Sequence, residues 1–189
     1  MMKKKNFEII FDCGSSKIRG GAIDVNNKKS FFSESAFFFD QTDINNKIKD
    51  IITSLEKDID EYIDCTSLMI DCREMLTIGI SISKKLDGSK LKKEDIQFLI
   101  QDAKQQILKN YSSQNISHII IQNYKIDDVN YNFFPNKINC NLISIDILFI
   151  CIPKNIVEYY KRIFFKLDIS INQIFCSSYA KSLNYKSNF

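Results

Sequence analysis

FDCGSSK, at residues 11–17, lies between two short apolar stretches and decides how the rest of the chain is interpreted. Residues 7–13 form an apolar run that ends at Gly14, which indicates a buried strand followed by a tight turn. Residues 17–25 place Ile18, Gly20 and Ala22 on one face, which predicts a returning strand. The stretch therefore predicts a β-hairpin with small residues at its tip.

Such a tip has the residue types of a phosphate-binding loop. Backbone N–H groups of a turn with small residues can converge on an anion. An adjacent lysine would neutralise phosphate charge, and an aspartate at the strand end could hold a hydrated Mg²⁺. The candidate cofactor-binding residues are Asp12, Gly14, Ser15, Ser16 and Lys17. Taken alone, D-x-G-S is a weak pattern, because a Gly-Ser hairpin turn without a ligand is commoner.

Periodicity outside the hairpin predicts alternating strands and helices. A third strand, buried on both faces, is expected over residues 31–39, and an amphipathic helix over 44–63 with Asp43 as its N-cap. Further strands are expected at 67–72, 76–83, 117–122, 142–152 and 171–177, and further helices at 94–108 and 156–167. Residues 123–141 are expected to be a long polar connection. This order indicates an α/β or α+β protein.

Composition excludes several functional classes. The 189 residues are 44% hydrophobic, which is too apolar for a disordered chain and enough for one domain or two small ones. The longest unbroken apolar run, residues 147–152, is far shorter than a membrane-spanning helix. The net charge is +3 with scattered lysines and three arginines, and the one dense basic run is at residues 3–5. We therefore expect no nucleic-acid partner.

Cysteine and histidine usage gives no sign of a metal or disulfide framework. The six cysteines contain no C-x-x-C pair and the chain has one histidine, His118, in an apolar strand. No secretory signal is visible, so we expect reduced thiols in the cytosol. Residues 71–74 are interpreted as a strand-end turn, the Asp127-Asp128 pair as a solvated loop, and Ser177-Ser178 lacks a G-x-S-x-G elbow.

The order strand, D-x-G-S turn, strand, strand, helix, strand resembles the start of the actin-like ATPase fold. Four later stretches resemble the SHS2 module that interrupts the first lobe of FtsA, the actin-like family of bacterial cell division. These are LTIGISIS at 76–83, LKKEDI at 91–96, HIIIQNYKID at 118–127 and the turn from Phe134-Pro135 to Asn141-Leu142. The sequence departs from that family at Ile121, where proline is usual, and at Lys137 and Cys140, where glycine is usual.

The resemblance implies an α/β fold: a partial actin-like ATPase lobe, a mixed sheet with flanking helices, at 1–72 and 153–189. A small α+β SHS2 module would be inserted at 73–152. Complete family members continue with a second phosphate loop, an adenosine-binding glycine pair, a second lobe and a membrane-binding helix, and none of these fits after Ala180. We therefore expect a truncated member with half a nucleotide site at most. It would bind no cofactor alone, and ATP with Mg²⁺ only if a second lobe is supplied.

The function that the resemblance implies is cell division by protein–protein interaction rather than catalysis. Its partners would be divisome proteins: the tubulin-like FtsZ, other FtsA-like protomers and late division proteins. The chain would be cytoplasmic, reaching the inner face of the membrane at the division site only through these partners. Three alternatives stay open: one lobe of a split actin-like ATPase, a protein like the pilus-assembly actin homologue PilM, and a decayed remnant.

Overall fold

The computed structural model describes residues 7–14, 16–26, 29–36, 44–135 and 138–186, and within them the chain is a mixed α/β protein with two sheets and four helices. The strands are β1 (Phe7–Cys13), β2 (Lys17–Asp24), β3 (Ser30–Ala36), β4 (Cys65–Ile70), β5 (Leu76–Lys85), β6 (Gln114–Ile126), β7 (Val129–Tyr131), β8 (Leu142–Pro153) and β9 (Ser170–Cys176). The helices are α1 (Ile44–Ile59), α2 (Lys93–Asn110), α3 (Lys154–Phe165) and α4 (Ser177–Lys186).

The chain divides into two compact units. Met1–Arg73 and Asn155–Phe189 form one, here called the split unit, and Glu74–Lys154 forms the other, the inserted unit. Each unit has its own sheet: five strands in the order β3-β2-β1-β4-β9 in the split unit, and four in the order β5-β8-β6-β7 in the inserted unit.

The sheet of the split unit is mixed. β1, β2 and β3 are joined as an antiparallel meander, as the sequence predicts, whereas β4 pairs parallel to β1 and β9 pairs parallel to β4. Parallel neighbours need a crossover, and α1 supplies the one between the meander and β4. The apolar stripe of α1 faces the sheet because its buried residues recur at helical spacing: Ile44, Ile48, Ile51, Ile52, Leu55 and Ile59.

The core of the split unit lies between this sheet and the helices α1 and α3. Phe11 is fully buried, and its ring meets the ring of Phe164 from α3 edge to face, with centroids 5.0 Å apart. Gly20, which pairs with Phe11 in the sheet, lets α1 approach closely. A β-carbon there would lie 2.8 Å from Leu55 Cδ1 and closer still to Ile51 Cγ2. A side chain at that position would therefore force the side chains of Ile51 and Leu55 to move.

The inserted unit is one helix packed on an antiparallel sheet. β8 is the central strand and alternates over its first half, with Ile143, Ile145 and Ile147 fully buried towards α2 and the intervening residues on the opposite face, whereas residues 149–153 are all buried. From α2, Leu99 and Ala103 contribute to the same core. The opposite face carries a row of polar side chains across all four strands, in which Ser81 and Asn123 donate to Asp146 and Asn123 also donates to Asn130.

The predicted polar connection over residues 123–141 is wrong in its first half. β6 continues to Ile126 and turns back at once into β7, with Ile126 paired to Val129. The two turn residues, Asp127 and Asp128, have positive φ angles of 43° and 72°, as a two-residue hairpin requires. Asp127 is also more than a solvated loop residue, because its carboxylate accepts the backbone N–H groups of Asn141 and Leu142.

Two other expectations need correction, and two fall outside the described residues. Helix α4 was not predicted: the sequence there was interpreted as the end of a strand. The third strand is not buried on both faces, since Phe32 is 74% exposed. It lies over Gly21, whose missing side chain leaves space for the ring. The proposed N-cap Asp43 and residues 37–39 of the third strand lie outside the described residues.

Candidate functional site

The hairpin between β1 and β2 is a tight two-residue turn. Cys13 pairs with Ile18, and the Gly14 N–H donates to the Lys17 carbonyl oxygen at 3.1 Å. That N–H is therefore used to close the hairpin rather than directed at an external anion. Ser16 is exposed, and Ser15 lies outside the described residues.

Asp12, the candidate magnesium ligand, is buried and surrounded by partners from its own chain. Its carboxylate accepts a hydrogen bond from Ser177 Oγ at 2.7 Å on Oδ1. Oδ2 forms ion pairs with Lys181 Nζ at 3.2 Å and Arg19 Nη1 at 3.5 Å. Only 11% of the side chain is exposed. Two cations and a hydroxyl thus already satisfy the carboxylate.

Alternation along β1 explains why α4 provides two of these partners. Phe11 points to the face covered by α1 and α3, so its neighbour Asp12 points to the opposite face. Helix α4 begins with Ser177 directly after β9 and lies on that opposite face. Ser177 and Lys181 are four residues apart, so they share one side of the helix and both reach Asp12.

Lys17 is not directed at Asp12. Its Nζ lies 3.5 Å from Glu34 Oε2 on β3, and Arg19 Nε donates to the same oxygen at 3.2 Å. The hydrogen bond from Arg19, followed by the charge of Lys17, lowers the pKa of Glu34. Arg19 therefore bridges Asp12 on β1 and Glu34 on β3, and Lys17 is a second cation beside Glu34.

The thiol beside Asp12 is chemically inert. Cys13 is buried on the α1 and α3 face, and burial, with a smaller contribution from the Asp12 charge, raises the pKa of its thiol. Burial likewise raises the pKa of the Tyr160 hydroxyl on α3. Neither group supplies an anion near neutral pH, so neither is a nucleophile or a base for a ligand at the hairpin.

A cavity of about 650 Å³ opens on the sheet far from the hairpin. It is lined near the beginning of β1 by Glu8 and Ile10 and, on β4 and β9, by Ser67, Gln173 and Phe175. The hairpin lies at the other end of β1. The cavity therefore does not extend the predicted phosphate loop into a pocket.

The remaining candidates stay structural. His118 is in β6 opposite Ile150, and partial burial lowers the pKa of its imidazole. Residues 71–74 form a turn after β4, as predicted. Among the described residues, no group of three or more histidine, cysteine or acidic side chains could hold a metal ion. Within the same part of the chain, no helix is long and apolar enough to cross a membrane.

The sequence interpretation missed Ser177 and Lys181. Ser177 was considered only as a hydrolase nucleophile, whereas its fully buried hydroxyl is a partner of Asp12. The two residues are 165 positions apart in the chain, and no local pattern connects them. Only the prediction of a helix directly after β9 would have placed Ser177 and Lys181 on one side of an element near Asp12.

No family model and no curated protein matches the sequence. The chain is similar to a solved structure from Bacteroides thetaiotaomicron VPI-5482, described as a protein with actin-like ATPase fold and unknown function. The identity is 12% and the TM-score 0.42, over 97% of this chain and 57% of that one. The chain thus spans a little over half the length of that structure. A likeness this weak establishes no function for the chain.

Proposed function

We propose that the chain is a cell-division protein of the FtsA type that acts by protein–protein interaction rather than by catalysis alone. In this proposal the split unit is a partial actin-like first lobe, and the inserted unit is an SHS2-type module that docks division proteins. Its partners would be the tubulin-like FtsZ, other FtsA-like protomers or late division proteins, met at the inner face of the membrane at the division site.

The observation that carries this proposal is the way the inserted unit interrupts the split unit. Residues 74–154 form a separate compact unit between the two chain segments that build the other sheet. Its elements are a strand, a helix and three strands, where the resemblance to an SHS2 module leads one to expect a strand, a helix and two strands; the short β7 is the additional one. The split unit opens with strand, hairpin turn, strand, strand, helix and strand, which is the beginning expected for an actin-like lobe.

The inserted unit has a surface suited to docking. Its helix covers one face of the sheet, and the other face carries the polar row Ser81, Asp146 and Asn123. The two stretches singled out from the sequence, LTIGISIS and HIIIQNYKID, are in β5 and β6, which flank the central strand β8. A polar sheet face with fixed side chains provides hydrogen-bonding groups at low cost in side-chain entropy on binding.

The contacts of Asp12 count against the alternative of a split ATPase lobe. Mg²⁺ demands near-octahedral oxygen ligands and keeps several waters. The oxygen that would face it already has two cationic partners, at 3.2 and 3.5 Å. No specific observation in the described residues favours nucleotide binding, so we do not propose it as a second function.

The test is binding of the full chain to purified FtsZ and FtsA from the same cell, at concentrations up to tens of micromolar. Ser144→Lys places a charge on the open face, because Ser144 lies between Ile143 and Ile145, which point into the core. Gln101→Lys is the matched control on the exposed side of α2. We expect Ser144→Lys to weaken binding and Gln101→Lys to leave it unchanged.

A fluorescent fusion adds a cellular reading of the same proposal. We expect a ring at the division site that is lost on depletion of the binding partner. The proposal fails if the chain binds neither division protein and the fusion is diffuse throughout the cell cycle.

A further inference from the structure

The outer edge of β5 is a regular, unprotected strand edge. In the described part of the chain β5 pairs with β8 alone, in one continuous register from Leu76 opposite Cys151 to Lys85 opposite Leu142. Ten residues without a bulge or a proline form an unusually long free edge of this sheet. Such an edge presents unpaired backbone N–H and C=O groups to another strand.

The opposite side of the sheet is protected in comparison. β6 has two register shifts against β8, between Ile116 and His118 and between Ile121 and Asn123, and β7 covers its last three residues. Bulges twist an edge away from regular pairing. Strand addition is therefore favoured at β5 and not at the β6–β7 side.

One of the two lysines of β5, Lys84, is held against α2. Lys84 Nζ is 2.7 Å from Asp95 Oδ1 on α2 and 5.1 Å from the centroid of the Phe98 ring. Edge strands commonly use an outward lysine to prevent association with another sheet. Here the ammonium of Lys84 is neutralised on the helix, so Lys85 is left as the lysine of β5 that is not held there.

We propose that β5 is a self-association edge, through which two copies of this chain pair antiparallel and join their sheets about a two-fold axis. The proposal goes beyond the division role, because it requires no second protein. The partner follows from the sequence of the strand itself, LTIGISISK at residues 76–84, which has nearly the same pattern when it is read backwards. An isologous dimer requires this self-complementarity.

An axis at Ile80 matches the faces of the two strands. Directly opposite residues of an antiparallel pair share a face. Ile80 then meets Ile80 of the other copy, and Ile78 meets Ile82 on the half-buried face towards α2. Thr77 meets Ser83 on the exposed face. From residue 77 to residue 83, apolar residues therefore meet apolar ones and small polar residues meet small polar ones, whereas Leu76 lies opposite Lys84.

Charge and space also favour this register. Lys85 would lie opposite Met75 rather than opposite a second cation, whereas moving the axis to Gly79 would place Lys85 opposite Arg73. Gly79 itself lies opposite Ser81, and nothing lies within 4 Å of where its β-carbon would be. The exposed face of the sheet is therefore open at Gly79, and pairing β5 with β5 leaves no β5 edge for further growth.

The test uses two double variants that differ only in the sign of one charge. Thr77→Lys with Ser83→Lys places like charges opposite each other twice across the axis, whereas Thr77→Glu with Ser83→Lys places opposite charges there. Both side chains are exposed, so neither variant disturbs the core. Sedimentation equilibrium over roughly 1–200 µM full chain measures the dimer. Circular dichroism confirms that each variant is folded.

We expect wild-type chain to dimerise with a dissociation constant on the order of 10 µM, as is usual for small interfaces. The Lys–Lys variant should dimerise at least about tenfold more weakly, and the Glu–Lys variant should restore wild-type affinity or exceed it. High salt should reduce the difference between the dissociation constants of the two variants. A wild-type chain that stays monomeric, or two variants that dimerise equally at low salt, overturns the proposal. Failure of the division role would leave these results unchanged.

Discussion

Replacing Asp12 by Asn distinguishes a structural carboxylate from one kept for a ligand. The substitution keeps the size of the side chain and an oxygen that can accept the Ser177 hydroxyl, but it removes the negative charge between Arg19 and Lys181. If the carboxylate holds α4 on the sheet, the variant is less stable without any ligand. If the carboxylate were reserved for a metal ion, its removal would relieve strain and raise stability.

The expected loss is about 1–2 kcal/mol. Arg19 and Lys181 are 42% and 52% exposed, so solvent screens both ion pairs and each is worth at most about 1 kcal/mol. Asp12→Ala should cost about 1–3 kcal/mol more, because it also leaves the fully buried Ser177 hydroxyl without its acceptor. The free energy of unfolding should therefore decrease from wild type to Asp12→Asn and again to Asp12→Ala.

Urea denaturation followed by circular dichroism measures the loss, and hydrogen exchange of α4 localises it. Asp50→Asn, on the exposed side of α1, is the matched control and should change the free energy of unfolding by less than about 0.5 kcal/mol. In Asp12→Asn the amides of α4 should exchange faster, whereas those of α2 should not change. Raising the salt concentration should reduce the difference in the free energy of unfolding between wild type and Asp12→Asn.

A free energy of unfolding equal to or above that of wild type for Asp12→Asn would refute the reasoning. The same experiment repeated with Mg·ATP gives an independent reading. We expect no stabilisation of the wild type by the nucleotide, because the cations that surround Asp12 oppose a further one. Stabilisation that is lost in the variant would restore the hairpin as a nucleotide site.

Three further predictions concern the two cores and α2. Gly20→Ala should destabilise the chain by about 1–3 kcal/mol in urea denaturation because its β-carbon would overlap α1, whereas Gly21→Ala should cost less since only an exposed ring must move. Asp95→Asn should lower the free energy of unfolding by about 1 kcal/mol. The hydrogen bond from Lys84 lowers the pKa of Asp95, so this loss should be present above a pH of about 4 and disappear on acidification. Cys13 should be alkylated only under unfolding conditions, detectable by mass spectrometry, whereas rapid labelling of the native chain would contradict its burial.

Most elements could be predicted from local pattern because each had a clear period and a clear boundary. The meander β1 to β3 followed from apolar runs separated by Gly14 and by polar turns, and the structure confirms it. Helix α1 followed from isoleucines at three- and four-residue steps. β8 followed from its long apolar run and from Pro153 at its end.

The errors occurred where local pattern is a poor guide. β6 extends past its apolar run because the pairs from Asn123 to Ile126 with β8 depend on a strand that comes later in the chain. Helix α4 is held to the sheet by polar contacts from Ser177 and Lys181. It therefore has no wide apolar stripe by which it could be predicted. Phe32 is exposed because β3 has α1 on one face, and its ring rests on Gly21 on the other.

The sequence by itself determined the class of the chain and the strand-turn-strand geometry of residues 11–17, since period and turn chemistry are local properties. It also placed Asp12 at the end of a strand. Only the tertiary structure decided what that carboxylate does, because its partners Ser177 and Lys181 arrive from a helix more than 160 residues away. The same holds for β5, whose free edge exists because every strand that could cover it pairs elsewhere in the described sheet. Partner choice is a property of the assembled fold and is absent from any local stretch of sequence.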